Sequence, residues 1–177
     1  MKQSIFTVIS NRKIAKNTFE MKLSGDISDI TAPGQFVNIQ LDGFYLRRPI
    51  SVCDYDKNSL TLIYKIVGEG TLAMSKYEEG AELDILTGLG NGYDLSKSGD
   101  APLLIGGGVG VPPMYNLCKK LVSEGKKPTV ILGFNSKCDV FYEKEFAALG
   151  AKVLVTTADG SYGIKGFVTD AMEGLDF

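Results

Sequence analysis

The run Gly106-Gly107-Gly108-Val109-Gly110-Val111-Pro112-Pro113 constrains the fold of this chain more than any other feature. It follows a short, continuous apolar stretch, Pro102-Leu103-Leu104-Ile105, of the kind that fills a buried parallel strand. Pro113 suits the first turn of a helix, which is expected over residues 113–124. A second strand is expected over 129–134, a second helix over 139–149 and a third strand over 152–157. Strand and helix in alternation mean βαβ units on a parallel sheet. A third helix start at 169–173, and a fourth strand that could begin at Leu175-Asp176-Phe177, would bring the total to about half of a dinucleotide-binding sheet. The α/β half therefore reads as unfinished: either the chain is a fragment, or the sheet is completed some other way.

The first half has a different rhythm. Residues 5–9, 18–23, 35–41 and 60–67 are β-branched or aromatic, partly alternating, and bounded by Gly, Pro, Asn or Asp. Strands are expected there and at 82–86, with one short helix at 71–77. Short strands at this spacing favour an antiparallel barrel or sandwich. The loop Ser96-Lys97-Ser98-Gly99-Asp100 is the natural junction, giving a β-domain over 1–98 and a partial α/β domain over 99–177.

Composition excludes several kinds of chemistry. The chain has no His, which removes every Ser-His or Cys-His mechanism and every His-ligated metal. Cys53, Cys118 and Cys138 form no CxxC pair, so neither a zinc knuckle nor a four-Cys iron-sulfur cluster comes from this chain alone. An odd cysteine count with no apolar leader points to reduced thiols in a cytoplasmic protein. No apolar run approaches the ~20 residues of a membrane helix. A net charge of -2 gives no reason to expect nucleic acid.

Three short motifs carry the chemistry. Glycines at a strand-to-helix turn let the backbone approach a pyrophosphate, and free N–H groups at the helix start attract anionic oxygens. The spacing is GGGxGxxP rather than GxGxxG, and a plain packing turn would use the same residues. No Lys-Ser/Thr follows, so the turn is not a P-loop. In Leu46-Arg47-Arg48-Pro49-Ile50-Ser51, an Arg can neutralise a pyrophosphate and a Ser hydroxyl can bond to a flavin or phosphate. A solvated Arg pair is the plainer reading. In Gly68-Glu69-Gly70-Thr71, a helix start and a hydroxyl face a second phosphate, or Thr71 serves as a cap.

RxxS, then GxGT, then GGGxGxxP, in that order, resembles the ferredoxin-NADP reductase superfamily, in which a β-barrel binds FAD and an α/β domain binds NAD(P). Arg48 to Ser51, Ile63-Tyr64-Lys65, Gly70-Thr71, the segment 87–93 (TGLGNGY), Gly106 to Met114 and Asp159-Gly160-Ser161-Tyr162-Gly163 look specifically like the electron-transfer subunits of NAD-linked (type B) dihydroorotate dehydrogenases. The resemblance covers nearly the whole chain. It implies that Arg48, Pro49, Ile50 and Ser51 line FAD, with Arg48 on the phosphates and Ser51 near the isoalloxazine. Ile63, Tyr64 and Lys65 would flank the ring or ribityl chain, and Gly70 and Thr71 would hold the pyrophosphate. Gly107, Gly108, Gly110 and Pro112 would form the nicotinamide-nucleotide floor. The superfamily pattern is RxYS; Ile50 here removes an aromatic stacking partner.

The resemblance further implies electron passage from an FMN-containing catalytic subunit that oxidises dihydroorotate, in pyrimidine biosynthesis, to FAD and then NAD+, within a heterotetramer. Family members continue into further strands and a four-Cys [2Fe–2S] site. No cysteine here matches that motif, so the chain reads as a truncated or naturally shortened form. No Arg follows the second α/β strand to clamp a 2′-phosphate, which favours NAD, although Lys137 leaves NADP open. Two alternatives stand beside this: a small subunit of another ferredoxin-, sulfide- or hydrogenase-type NAD(P) oxidoreductase, and a non-catalytic flavin-binding module.

Overall fold

The computed structural model describes residues 1–175 and divides the chain into two compact units, Met1–Tyr93 and Asp94–Phe177. The division falls five residues before the junction expected at 98/99. The Asp94 carboxylate accepts from Ser96 N–H and caps a 3-10 turn over Leu95–Lys97. Within the second unit, the Lys126 ammonium donates to the carbonyls of Leu95 and Ser98, at 3.1 and 3.3 Å.

The first unit is a closed antiparallel barrel of six strands: β1 (Lys2–Ala15), β2 (Thr18–Ser24), β3 (Phe36–Ile39), β4 (Arg48–Tyr55), β5 (Ser59–Lys65) and β6 (Glu82–Leu89), in the order β1-β2-β5-β4-β3-β6. Alternation drives its core. In β5, Leu60, Leu62 and Tyr64 face inward, and they join Phe6, Met21, Leu23 and Ile85 in one buried cluster. Each such side chain contributes about 1.5–3 kcal/mol by leaving water. The barrel closes where β6 returns to β1, with Lys2 opposite Thr87 and Thr7 opposite Glu82. The helix α1 spans Glu69–Met74 and seals the cluster with Met74.

β4 has no counterpart among the strands expected from sequence, because Pro49 removes a ladder donor. The fold accommodates it. Pro49 sits opposite Asn38 of β3, while pairing with β5 begins only at Val52 opposite Leu62. β1 also exceeds its expected span, because its two ends pair with different strands across register breaks at Val8/Ser10 and Lys13/Ala15.

The second unit carries a parallel sheet in the order β10-β9-β8-β7, built from β7 (Leu103–Gly107), β8 (Thr129–Phe134), β9 (Lys152–Thr157) and the two-residue β10 (Ile164–Lys165). β8 and β9 match their expected spans residue for residue. α2 (Pro112–Ser123) lies against β7 and buries Leu117, Cys118 and Leu121. α3 is shorter than the expected helix and covers only Glu143–Ala148. A 3-10 turn at Lys137–Asp139 precedes it, and Tyr142, at φ 65, breaks the continuity. The expected third helix is a 3-10 turn over Val168–Met172. The further strand expected at the end of the chain falls on Asp176 and Phe177, which lie outside the described residues; Leu175 is in neither helix nor strand.

Candidate functional site

In the first unit the structure brings Arg48 and Gly70 together. The Arg48 guanidinium lies over the Phe44 ring, 5.0 Å from its centroid, and one of its nitrogens donates to Leu46 O. A Cβ at Gly70 would collide with Nε, Cζ and Nη2 of Arg48. Glycine at position 70 therefore makes room for the arginine, and a cation is held against the start of α1. The expected phosphate-binding pair, RxxS and GxGT, converges in space although the motifs are far apart in sequence.

Thr71 plays a different part from the one its motif suggests. Its hydroxyl accepts from Val67 N–H (3.0 Å) and Gly68 N–H (3.3 Å) and donates to Gly68 O (3.1 Å). The residue is buried and its hydrogen-bonding capacity goes into the turn. Any contact with a pyrophosphate at this place therefore comes from backbone and from Arg48.

The period-2 pattern of β4 and β5 divides the remaining expected flavin contacts. Tyr64 is 2% exposed and points into the barrel, where its ring stacks on Phe19 at 5.9 Å. Its hydroxyl donates to Asn11 Oδ1 at 2.9 Å, and burial pushes the phenol up to about 12. The Tyr64 side chain belongs to the core, so it is not free to flank a flavin. Ile63 and Lys65 lie on the opposite, outer face of β5. With Val52 opposite Leu62 on the inner face, the next residues along, Ser51 and Ile63, both turn outward. Pro49 shares the parity of Ser51, whereas Ile50 packs against the core. The outer face thus offers a proline ring and a small hydroxyl near Arg48, whereas Ile63 on the same face is only 3% exposed.

In the second unit the glycine turn separates into packing and open positions. Gly106 is required by packing: a Cβ there would sit 2.8 Å from Val111 Cα and 2.9 Å from Gly110 O. Gly107 meets only Gly133 O, at 4.0 Å, and Gly108 and Gly110 meet nothing within 4 Å. Gly108 adopts φ +51, in the left-handed region that glycine enters freely. Pro112 is buried at the first turn of α2, one residue earlier than expected. Side chains at 107, 108 and 110 would project into open space beside the end of β7, so their absence leaves the backbone there open to close approach by a ligand. That is the observation by which these residues fit a dinucleotide.

Sequence reasoning missed Phe44, which positions Arg48, and Asn11, which anchors Tyr64; neither lies in a recognisable motif. Among the described residues no group of three or more His, Cys, Asp or Glu could hold a metal. Cys53 and Cys118 are buried and Cys138 is exposed; none forms a disulfide. Among those residues, no helix is long and apolar enough to cross a membrane.

Comparison with known proteins agrees with this division. Residues 104–175 match the family of oxidoreductase NAD-binding domains. The structure of an NADH-dependent reduced ferredoxin-NADP oxidoreductase, described for flavin-based electron bifurcation, superposes with a TM-score of 0.86 at 34% identity. The match covers 96% of this chain, which spans 62% of that one. The fold is that of the ferredoxin-reductase type, a barrel followed by an oxidoreductase NAD-binding domain. Sequence relatives narrow the class. The dihydroorotate dehydrogenase B (NAD(+)) electron transfer subunit of Fusobacterium nucleatum is 50% identical over 184 residues, covering 99% of this chain and 70% of the relative. That of Bacillus pumilus is 47% identical, covering 99% and 71%. The chain belongs to the family of dihydroorotate dehydrogenase B electron transfer subunits.

Proposed function

We propose that this chain binds FAD on its barrel and NAD on its parallel sheet and passes electrons from a dihydroorotate-oxidising partner to NAD+. The observation that carries the reading is the open backbone at Gly107, Gly108 and Gly110, where packing requires no glycine. FAD, when bound, supplies the hydride chemistry, so no acid or base side chain of this chain has to act. Arg48 neutralises phosphate charge beside Gly70. Pro49, Ser51 and Lys65 present the face on which a flavin ring would rest, over the buried Ile63. The turn 106–110 lets a pyrophosphate approach, and Pro112 fixes the start of α2 behind it. The partner in this reading is an FMN-containing catalytic subunit, in a heterotetramer and in the cytoplasm, consistent with three cysteines outside any disulfide.

The test is the visible spectrum of the purified chain, followed by heat release and identification of the chromophore. Released FAD, bleached in the intact protein by NADH, is the expected result. A colourless protein that also fails to take up added FAD overturns the reading. A second reading draws on the likeness to the ferredoxin-NADP oxidoreductase structure: a subunit of another NAD(P)-linked reductase. Flavin reduction by reduced ferredoxin, but not by a dihydroorotate-oxidising subunit, would favour it.

A further inference from the structure

The loop Gly90-Asn91-Gly92-Tyr93 after β6 carries the chain's only Asn-Gly pair, although asparagine occurs seven times. The loop is held on both sides of that pair. Before it, Gln35 Nε2 donates to Gly90 O at 3.1 Å, and Gln35 is buried. After it, Tyr93 N–H donates to Pro33 O at 2.8 Å. The Tyr93 ring also covers Gly34, where a Cβ would lie 2.6 Å from it. Gly92 is pressed against the same turn. A Cβ at 92 would meet Ala32 Cβ at 2.6 Å and Pro33 O at 2.9 Å, and its φ of +73 lies in the region that favours glycine. The fold therefore dictates a glycine immediately after Asn91.

The pair itself faces water. Asn91 is exposed, and among the described residues neither its side-chain amide nor the Gly92 N–H has a hydrogen-bond partner. The other asparagines are placed differently. Asn11, Asn38 and Asn116 lie within β1, β3 and α2, and Ser59 N–H, which follows Asn58, is tied to Asp56 Oδ1 at 3.1 Å. Each of the others precedes a residue whose Cβ crowds the next backbone nitrogen.

We propose that Asn91-Gly92 is a self-modifying site, at which Asn91 exchanges its amide nitrogen for a water oxygen, becomes isoaspartate and loosens the clamp on Tyr93. The Gly92 nitrogen attacks Asn91 Cγ and gives its proton to water. The new C–N bond closes a cyclic imide, and the Cγ–Nδ2 bond breaks to release ammonia. Water then opens the ring. Opening at Cγ gives aspartate. Opening at the backbone carbonyl leaves Gly92 joined through Cγ, which is isoaspartate. Overall one water is consumed and one ammonia released, and nothing is oxidised or reduced. Asparagine is thermolabile, and a following glycine exposes the attacking nitrogen.

Isoaspartate adds one carbon to the backbone path, about 1.5 Å. That length must be absorbed between the two clamps. The Gln35 clamp is the firmer, since its Oε1 also accepts from Thr31 N–H at 2.7 Å and Ala32 N–H at 3.1 Å. The bond from Tyr93 to Pro33 is the one that gives way. The inference concerns a loop of the barrel unit alone and does not rest on the flavin or dinucleotide reading.

The test is ageing of the purified chain at mildly alkaline pH, followed by tryptic mapping. The peptide 77–97 holds Asn91 and no other Asn or Gln, so an amide-to-acid mass change in it reports position 91 alone. Labelled methyl transfer from S-adenosylmethionine by a protein isoaspartate methyltransferase marks the isoaspartyl product. Amide loss at Asn91 should outpace that at every other asparagine by at least about tenfold, and should stay within about tenfold of its rate in the urea-unfolded chain. Equal loss at all asparagines, or a rate far below that of the unfolded chain, overturns the proposal. Amide loss that yields aspartate without methyl acceptance overturns it too. Hydrogen exchange reads the clamp: the Tyr93 amide should exchange about tenfold faster in the isoaspartyl fraction. Freshly prepared Asn91→Asp adds the charge without the carbon and should exchange as wild type does. Unchanged exchange in the isoaspartyl fraction, or equally fast exchange in Asn91→Asp, overturns the loosening by added length.

Discussion

Arg48 and Gly70 make a sterically linked pair whose substitution should separate the proposed flavin binding from stability. The Arg48 guanidinium is half-buried against Gly70, so a phosphate bond from it is only partly screened. A charge-assisted bond of that kind contributes about 1.5–3 kcal/mol. Arg48→Ala should therefore weaken FAD by about 10- to 150-fold. Its effect on the flavin-free barrel should stay within about 0.5–2 kcal/mol, the range of a cation–π contact such as that with the Phe44 ring. Gly70→Ala acts through the same arginine, since its methyl group takes the space of Nε, Cζ and Nη2. The flexible guanidinium must swing away, and FAD affinity should fall comparably. Yet alanine within α1 gains about 0.5–1 kcal/mol of helix propensity over glycine. Gly70→Ala should thus melt no lower than wild type without flavin while holding FAD poorly. The double variant should lose little beyond Arg48→Ala alone, because both changes remove one interaction. The assay is FAD fluorescence quenching on flavin-free protein, with thermal melting of the same samples. Wild-type FAD affinity in Arg48→Ala refutes the phosphate assignment. Additive losses in the double variant refute the claim that Gly70 acts through Arg48.

Two further outcomes follow from the barrel. Tyr64→Phe removes a buried hydroxyl bonded to Asn11, whose amide also donates to the carbonyls of Met74 and Tyr77. It should cost about 1–3 kcal/mol in chemical denaturation and leave the flavin spectrum unchanged, because Tyr64 faces the core. Asp84 is held below its usual value of 3.8 first by the Arg47 hydrogen bond and then by Gln3. A lowered folded-state pKa stabilises above 3.8, and that contribution fades as pH falls through the folded value. Asp84→Asn should therefore destabilise at pH 7 and match wild type near pH 2, as read from urea midpoints.

Much of this architecture was legible because local signals agreed with the tertiary outcome. β8 and β9 are continuous apolar, β-branched runs between Gly- or Lys-rich turns, and nothing competes with a buried parallel strand there. β4 was hidden because its pairing depends on barrel closure, which supplies β3 on one side and delays β5 until Val52. The two-residue β10 is set by the turn after β9, where Tyr162 N–H bonds to Thr157 Oγ1, and has no pattern of its own. At the site, the glycine turn and Arg48 could be found by residue type. Tyr64 and Thr71 could not be placed by motif alone. The inward step of β5 claims one side chain, and a helix cap claims the hydroxyl of the other.

The barrel's closure has a consequence for how the chain acquires its structure. β1 must find β6 across a separation of 85 residues, as the bond from Thr87 Oγ1 to Lys2 O records. During synthesis, the first strand has no closing partner until residue 87 has emerged. In the second unit β7 pairs with β8, β8 with β9 and β9 with β10, each a neighbour in sequence. Loop-closure entropy makes distant pairings slow and neighbouring ones fast. On refolding from denaturant, protection of backbone amides should therefore arrive first in the later half of the chain and last along the seam between β1 and β6.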